Sequence, residues 1–167
     1  LTIYSALLWT GLRNRIGTVN VNYGSSTQIL KTTGLISLLL VTATIVWGAF
    51  VAGLDAGMIY NTFPHMGDGL IPPELSNEPF FYSAASVQFT HRVLAIITTI
   101  SIFGYAALWY KHSRKMSILL GSAVSVQLSL GIATLLSIVW IPLAVAHQIG
   151  GVLLLTSILF SLYHLPW

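Results

Sequence analysis

Four stretches of this chain run for more than twenty residues with almost no charge, at 34–54, 85–109, 116–138 and 142–163. A helix that crosses a bilayer needs about 20 predominantly apolar residues. The first and third stretches hold no group that could be charged near neutral pH, the second holds only His91 and Arg92, and the fourth only His147. Charged residues are 7% of the 167, where a soluble domain carries about a quarter. That leaves too little polarity to cover a water-facing surface, so a soluble enzyme is excluded. A disordered chain is excluded too, since it would need low hydrophobicity and high charge. The net charge of +3 reflects scarce acids rather than a basic cluster, so no nucleic-acid partner is expected. There is no cysteine, hence no disulfide frame and no thiolate metal site.

The expected fold class is therefore an all-α integral membrane protein in the lipid bilayer. It is a four-helix transmembrane bundle over 34–167 plus the end of a preceding transmembrane helix at 1–12. The stretch 1–12 is apolar but too short to cross, so the chain reads as the C-terminal part of a larger protein or one piece of a split one. Residues 13–33 form an inner loop with Arg13, Arg15 and Lys31. Lys111, Arg114 and Lys115 lie between the second and third spans. Those two loops hold six of the seven basic residues, whereas Asp55, Asp68, Glu74 and Glu78 all lie in the outer loop 55–84. The positive-inside rule puts the basic loops on the cytoplasmic side, or the matrix side in a mitochondrion.

The outer loop is long for a helix connection and rich in Met58, Ile59, Tyr60, Phe63, Phe80, Phe81 and Tyr82. It reads as an interfacial aromatic segment, as a lid over a site, or as both. The short connection 139–141 before Pro142 makes the last two spans antiparallel neighbours. Gly48 with Ala52, Ala49 with Gly53, and Gly121 with Ser125 have the four-residue spacing of close helix approach.

Ionisable groups inside a membrane are costly and usually functional. Entering from the outer side, His91 lies about 9 Å down its helix and His147 about 7–8 Å down its own. Two imidazoles level on two helices of one bundle suit axial ligation of a heme iron. Gly150 and Gly151 follow His147 on its own face and would let a flat macrocycle lie against the backbone. Ala95 stands likewise beyond His91. Arg92 could reach a heme propionate or pair with Asp55, and Gln88 could hydrogen-bond near the site. The alternatives are a pair of hydrogen-bonded core histidines and a proton relay through His91, Arg92 and His147. The relay lacks an intramembrane carboxylate. Zinc or copper lacks a third strong ligand. His112, His164 and His65 read as surface or interfacial residues, with Trp167 beside His164.

Three segments then carry a resemblance. The run GAFVAGLDAGMIYNTFPHMGD at 48–68, VQFTHR at 87–92 and AHQIGG at 146–151 resemble the heme A synthase family in order, spacing and topology. The resemblance implies a fold of two four-helix halves, of which this is the C-terminal, cofactor-holding one. It implies heme b with its iron as cofactor, axially held by His91 and His147, and Arg92, Gly150 and Gly151 are read from their positions as lining the same site. The family oxidises the C8 methyl of heme O to the formyl of heme A for cytochrome oxidase. The implied partners are heme O, an electron acceptor, the missing N-terminal half, and heme O synthase or a second copy of the chain. The implied location is a bacterial plasma membrane or a mitochondrial inner membrane. No catalytic residue carries over, since the half that supplies the catalytic groups is absent. An electron-transfer b-type cytochrome and a proton-coupled transporter fragment are the rival functions.

Overall fold

The computed structural model describes residues 1–16, 24, 26–76 and 83–166. Glu78, Phe80, Phe81, Tyr82 and Trp167, and the side chain of Arg15, lie outside the described residues. Five α-helices follow in order: α1 Thr2–Ile16, α2 Ser26–Gly53, α3 Ala84–Tyr110, α4 Arg114–Leu136 and α5 Ile141–Tyr163. No strand occurs among the described residues, and α2 to α5 are each long and apolar enough to cross a membrane. The fold is the expected all-α bundle.

Local chemistry sets the helix ends. Ser83 and Ser113 cap α3 and α4, each hydroxyl accepting from the amide three residues on. Pro142 sits in the first turn of α5, where its missing N–H is no loss. Ile138 and Val139 turn the chain between α4 and α5 with φ of 54° and 55°. This left-handed conformation is rare for β-branched residues. Two helices run further than the apolar stretches alone suggest. α1 continues past Arg13 to Ile16, and α2 begins at Ser26, so Lys31 is helical rather than in a loop. A long aliphatic stem lets such a cation sit on a helix near the membrane edge.

α2 packs on α3, α3 on α4, α4 on α5, and α5 back on α2, which closes a ring of four. α1 lies outside it against α5, where Tyr4 shares a 2.7 Å hydrogen bond with Thr156 and Trp9 meets the Tyr163 ring edge-on. The outward faces are apolar, with Leu39, Phe50, Ile100, Ile118, Val126 and Leu153 exposed. That is the inverse of a soluble bundle and suits lipid. Inside, hydroxyls pair across helices: Ser37 with Ser101 at 2.9 Å, Thr44 with Thr98 at 2.8 Å, and Tyr105 with Ser161 at 2.9 Å.

The bundle is filled unevenly. Its hydrophobic core, including Leu30, Ile102, Trp109, Leu120, Leu155 and Leu162, lies in the half away from the 54–83 loop. At the loop end, buried residues are confined to the loop and the start of α3, such as Ala56, Met66, Ala85 and Val87, and none of residues 42–53, 89–97 or 125–150 is buried. The positions of close approach match the small-residue spacing only at Gly48, where an added carbon would come to 3.2 Å of the His91 ring. A side chain at Gly121 or Gly53 would meet nothing within 4 Å. Gly34, outside that spacing, is tighter still, since an added carbon would meet Leu162 at 2.6 Å and the Tyr105 hydroxyl at 2.8 Å. Spacing alone does not say which face of a helix turns inward.

Candidate functional site

His91 on α3 and His147 on α5 both lie in the sparsely filled loop-end half, on helices at opposite corners of the ring. Each imidazole stands against a glycine of another helix. A methyl at Gly48 of α2 would come to 3.2 Å of the His91 Cε1, and one at Gly131 of α4 to 2.9 Å of the His147 Cε1. Two helical hairpins, α2–α3 and α4–α5, thus contribute the same pair, a glycine on the first helix and a histidine on the second. The glycines let each ring lie against a neighbouring backbone. The Nδ1 of His91 is buried with no hydrogen-bond partner, an unusual state for a buried polar atom.

Arg92 faces the loop. Its Nη2 donates to the Tyr60 carbonyl at 2.8 Å, and its Nη1 to the carbonyls of Thr62 at 3.0 Å and His65 at 3.2 Å. Gln88, one turn earlier, donates to the same Tyr60 carbonyl at 3.0 Å. One face of α3 therefore grips the loop backbone beside His91. The partners of Arg92 are loop carbonyls rather than Asp55. His65 contributes its carbonyl to that grip.

The loop is tied down elsewhere as well. The Tyr60 hydroxyl donates to Glu74, 3.0 Å from both oxygens. Asn61 donates to Gly57 at 2.8 Å and to Leu135, at the end of α4, at 2.9 Å. Burial and then the Glu74 carboxylate raise the Tyr60 phenol above its ordinary value.

Gly150 and Gly151, expected to face a flat ligand, lie against Gln127 of α4 and, for Gly151, Ile45 of α2. A carbon added at Gly150 would fall on the Gln127 carboxamide oxygen. The Gln127 Nε2 stands 3.2 Å from Nδ1 of His147 and donates to the His147 carbonyl at 3.1 Å. Gln127 and Gly131 were missed from the sequence. The available signal was Gln127 itself, an amide inside an otherwise apolar or hydroxyl-bearing span, one turn before Gly131 on the same face. Among the described residues, no group of three or more His, Cys, Asp or Glu side chains could hold a metal ion.

The family model described as cytochrome oxidase assembly protein, COX15-CtaA, matches residues 1–159. The chain belongs to this family. It is similar to the heme A synthase of Rhodospirillum centenum, at 44% identity over 77% of this chain and 37% of that protein. It is also similar to the heme A synthase of Granulibacter bethesdensis, at 40% identity over 99% of this chain and 45% of that protein. The human heme A synthase COX15 is 35% identical over 99% of this chain and 43% of its own length. The chain thus spans less than half the length of these relatives. No solved structure matches it.

Proposed function

We propose that this chain is the cofactor-holding, C-terminal half of a heme A synthase, with His91 and His147 as the axial ligands of a b-type heme. The observation that carries the reading is the placement of two histidines in the sparsely filled end of the ring, each cradled by a glycine. Two protein ligands are too few for a bare metal ion, but they suffice for an iron whose other four positions a macrocycle fills. The lack of carboxylates within the spans fits the same donor set.

When bound, such a heme supplies one-electron chemistry. The chain's own residues have separate tasks around it. His91 and His147 hold it from opposite corners. Gly48 and Gly131 set how far each ring reaches inward. Arg92 and Gln88 keep the loop seated beside His91 and limit the entry of water. Gly150 and Gly151 leave room for Gln127 of α4 beside His147. With both His91 and His147 holding it, such a heme would supply electron transfer rather than oxygen binding. The oxidation of heme O to heme A would belong to the whole enzyme, with a first half and an electron acceptor. Residues 1–12 fit the end of that first half's last helix. The basic loops would face the cytoplasm or the matrix.

The test is an absorption spectrum of the purified chain supplied with heme. A six-coordinate b-type spectrum is expected, lost in His91→Ala and in His147→Ala. A parent protein without that spectrum would refute the cofactor assignment. Adding back a first half should then yield heme A from heme O by chromatography. A b-type spectrum with no heme A formed would point to an electron-transfer cytochrome instead.

A further inference from the structure

We propose that Gln127 is the positioning residue of His147, selecting which ring nitrogen carries the proton, and that Gly150 is glycine so that Gln127 can reach it. The proposal rests on the reading of His147 as a heme ligand. Four observations meet at this point. The Gln127 carboxamide spans both the His147 ring nitrogen Nδ1 and the His147 backbone carbonyl, at 3.2 and 3.1 Å. Its Oε1 is buried and has no hydrogen-bond partner. The place a Gly150 side chain would take is already filled by that oxygen, and Gly151 lies alongside Nε2. His91 has no counterpart, since its Nδ1 is buried without any partner.

The chemistry follows from the two nitrogens of one imidazole. The hydrogen bond at the nitrogen that does not bind metal decides the tautomer. With the amide N–H turned toward Nδ1, as it stands, that nitrogen accepts and the proton rests on Nε2. An imidazole in that form has no lone pair at Nε2 for iron. A carboxamide presents its oxygen in place of its nitrogen after a half-turn about its last torsion. Oε1 then accepts from Nδ1–H and the imidazole Nε2 lone pair is free, while the amide gives up its bond to the His147 carbonyl, from which Oε1 must draw back. The atom now lacking a partner is the one this arrangement requires. An acceptor at Nδ1–H also makes the imidazole a stronger donor to the metal, as outer partners of ligating histidines commonly do. The two ligands would then be unequal, with His147 the more basic.

The experiment uses the full chain in detergent, titrated with iron protoporphyrin IX. Heme affinity, the midpoint potential and the low-spin electron paramagnetic resonance signal are recorded for the parent and three variants. Gln127→Leu should weaken heme binding by about 10–100-fold and raise the midpoint potential. Gln127→Glu offers a stronger acceptor of similar size, so it should retain heme and lower the potential. Gly150→Ala should reproduce Gln127→Leu, because its methyl displaces the carboxamide. A merely structural Gln127 would not move the potential in opposite directions in the Leu and Glu variants. Parental affinity and potential in both Gln127 variants, with a normal six-coordinate parent spectrum, would overturn the proposal and leave the heme reading standing. A parent that never gives that spectrum would overturn both. If Gln127→Leu fails to fold, the direction of the Gln127→Glu shift decides alone.

Discussion

Replacing Gly131 by alanine tests the glycine–histidine cradle directly. The new methyl would stand 2.9 Å from Cε1 of His147, with Nδ1 and Nε2 at 3.4 and 3.5 Å. Carbon atoms pack at about 3.5–4.0 Å, so the ring must retreat by about 0.6 Å or more. Overpacking of this kind costs about 1–3 kcal/mol. Alanine in place of a mid-helix glycine offsets about 1 kcal/mol of that. The net change in stability is therefore small, about 0–2 kcal/mol destabilising. The displacement matters more, since liganding groups must be held within about 0.5 Å of their productive position. Gly121→Ala is the matched control, because its methyl would meet nothing within 4 Å. It should stabilise the chain by about 1 kcal/mol. The assay pairs a thermal melt without heme with an absorption spectrum after heme addition. Gly131→Ala should melt at or below the parent and lose the six-coordinate spectrum, while Gly121→Ala keeps it. If Gly131→Ala gains stability as Gly121→Ala does and binds heme with the parental spectrum, the cradle argument is wrong.

Two further outcomes follow from the loop. Arg92→Leu removes the guanidinium from three loop carbonyls within 3.2 Å. At about 1.5–3 kcal/mol for a hydrogen bond to a charged group, taken at the low end for a half-buried side chain, loss of about 2 kcal/mol is expected. Amide exchange across residues 60–65 should then quicken by roughly 30-fold, with Arg92→Lys intermediate; unchanged exchange would show that the loop is held by other contacts. The Tyr60 phenol is raised above 10.0 by burial and by Glu74, and the phenol is neutral in the folded loop. Its contribution is fully present below the ordinary tyrosine value and is lost as pH rises through the raised one. Phenolate absorbance should therefore appear at higher pH than for a free tyrosine, and Glu74→Gln should move it back down; no difference between parent and variant would contradict the Tyr60–Glu74 pairing.

The spans were legible because lipid exposure leaves a coarse, additive record. Leu39, Ile100 and Leu153 are apolar on the outside for the same reason that Leu155 is apolar on the inside. The all-α fold needed no more than that. His91, Arg92 and His147 were legible as charges or potential charges where none is cheap. What each touches was not. Arg92 is bound to backbone carbonyls, and every residue has a carbonyl, so composition cannot point to Tyr60, Thr62 and His65. Gly131 and Gln127 were hidden for a related reason. They act through the α4 face that meets α5, and helix rotation is set by packing rather than by hydropathy. Of Gly150 and Gly151, read as places for a flat ligand against the backbone, only Gly150 excludes a side chain, since a carbon at Gly151 would make ordinary contacts at 3.5–3.8 Å. The neighbour that forbids it at Gly150 is a glutamine of the adjacent helix.

The two-part filling of the bundle has a thermodynamic consequence. The half packed by Leu30, Trp109 and Leu162 holds together through its own contacts. The loop-end half has fewer buried side chains and is held largely by the loop's hydrogen bonds, so a group that binds there adds stability by mass action. Any group that occupies it in the folded chain, and not in the unfolded one, adds RT ln(1 + [L]/Kd), about 2.7 kcal/mol at a hundredfold excess over Kd. The melting temperature of this chain then becomes a measure of how much of that group is present. The loop end should loosen before the opposite end as supply falls.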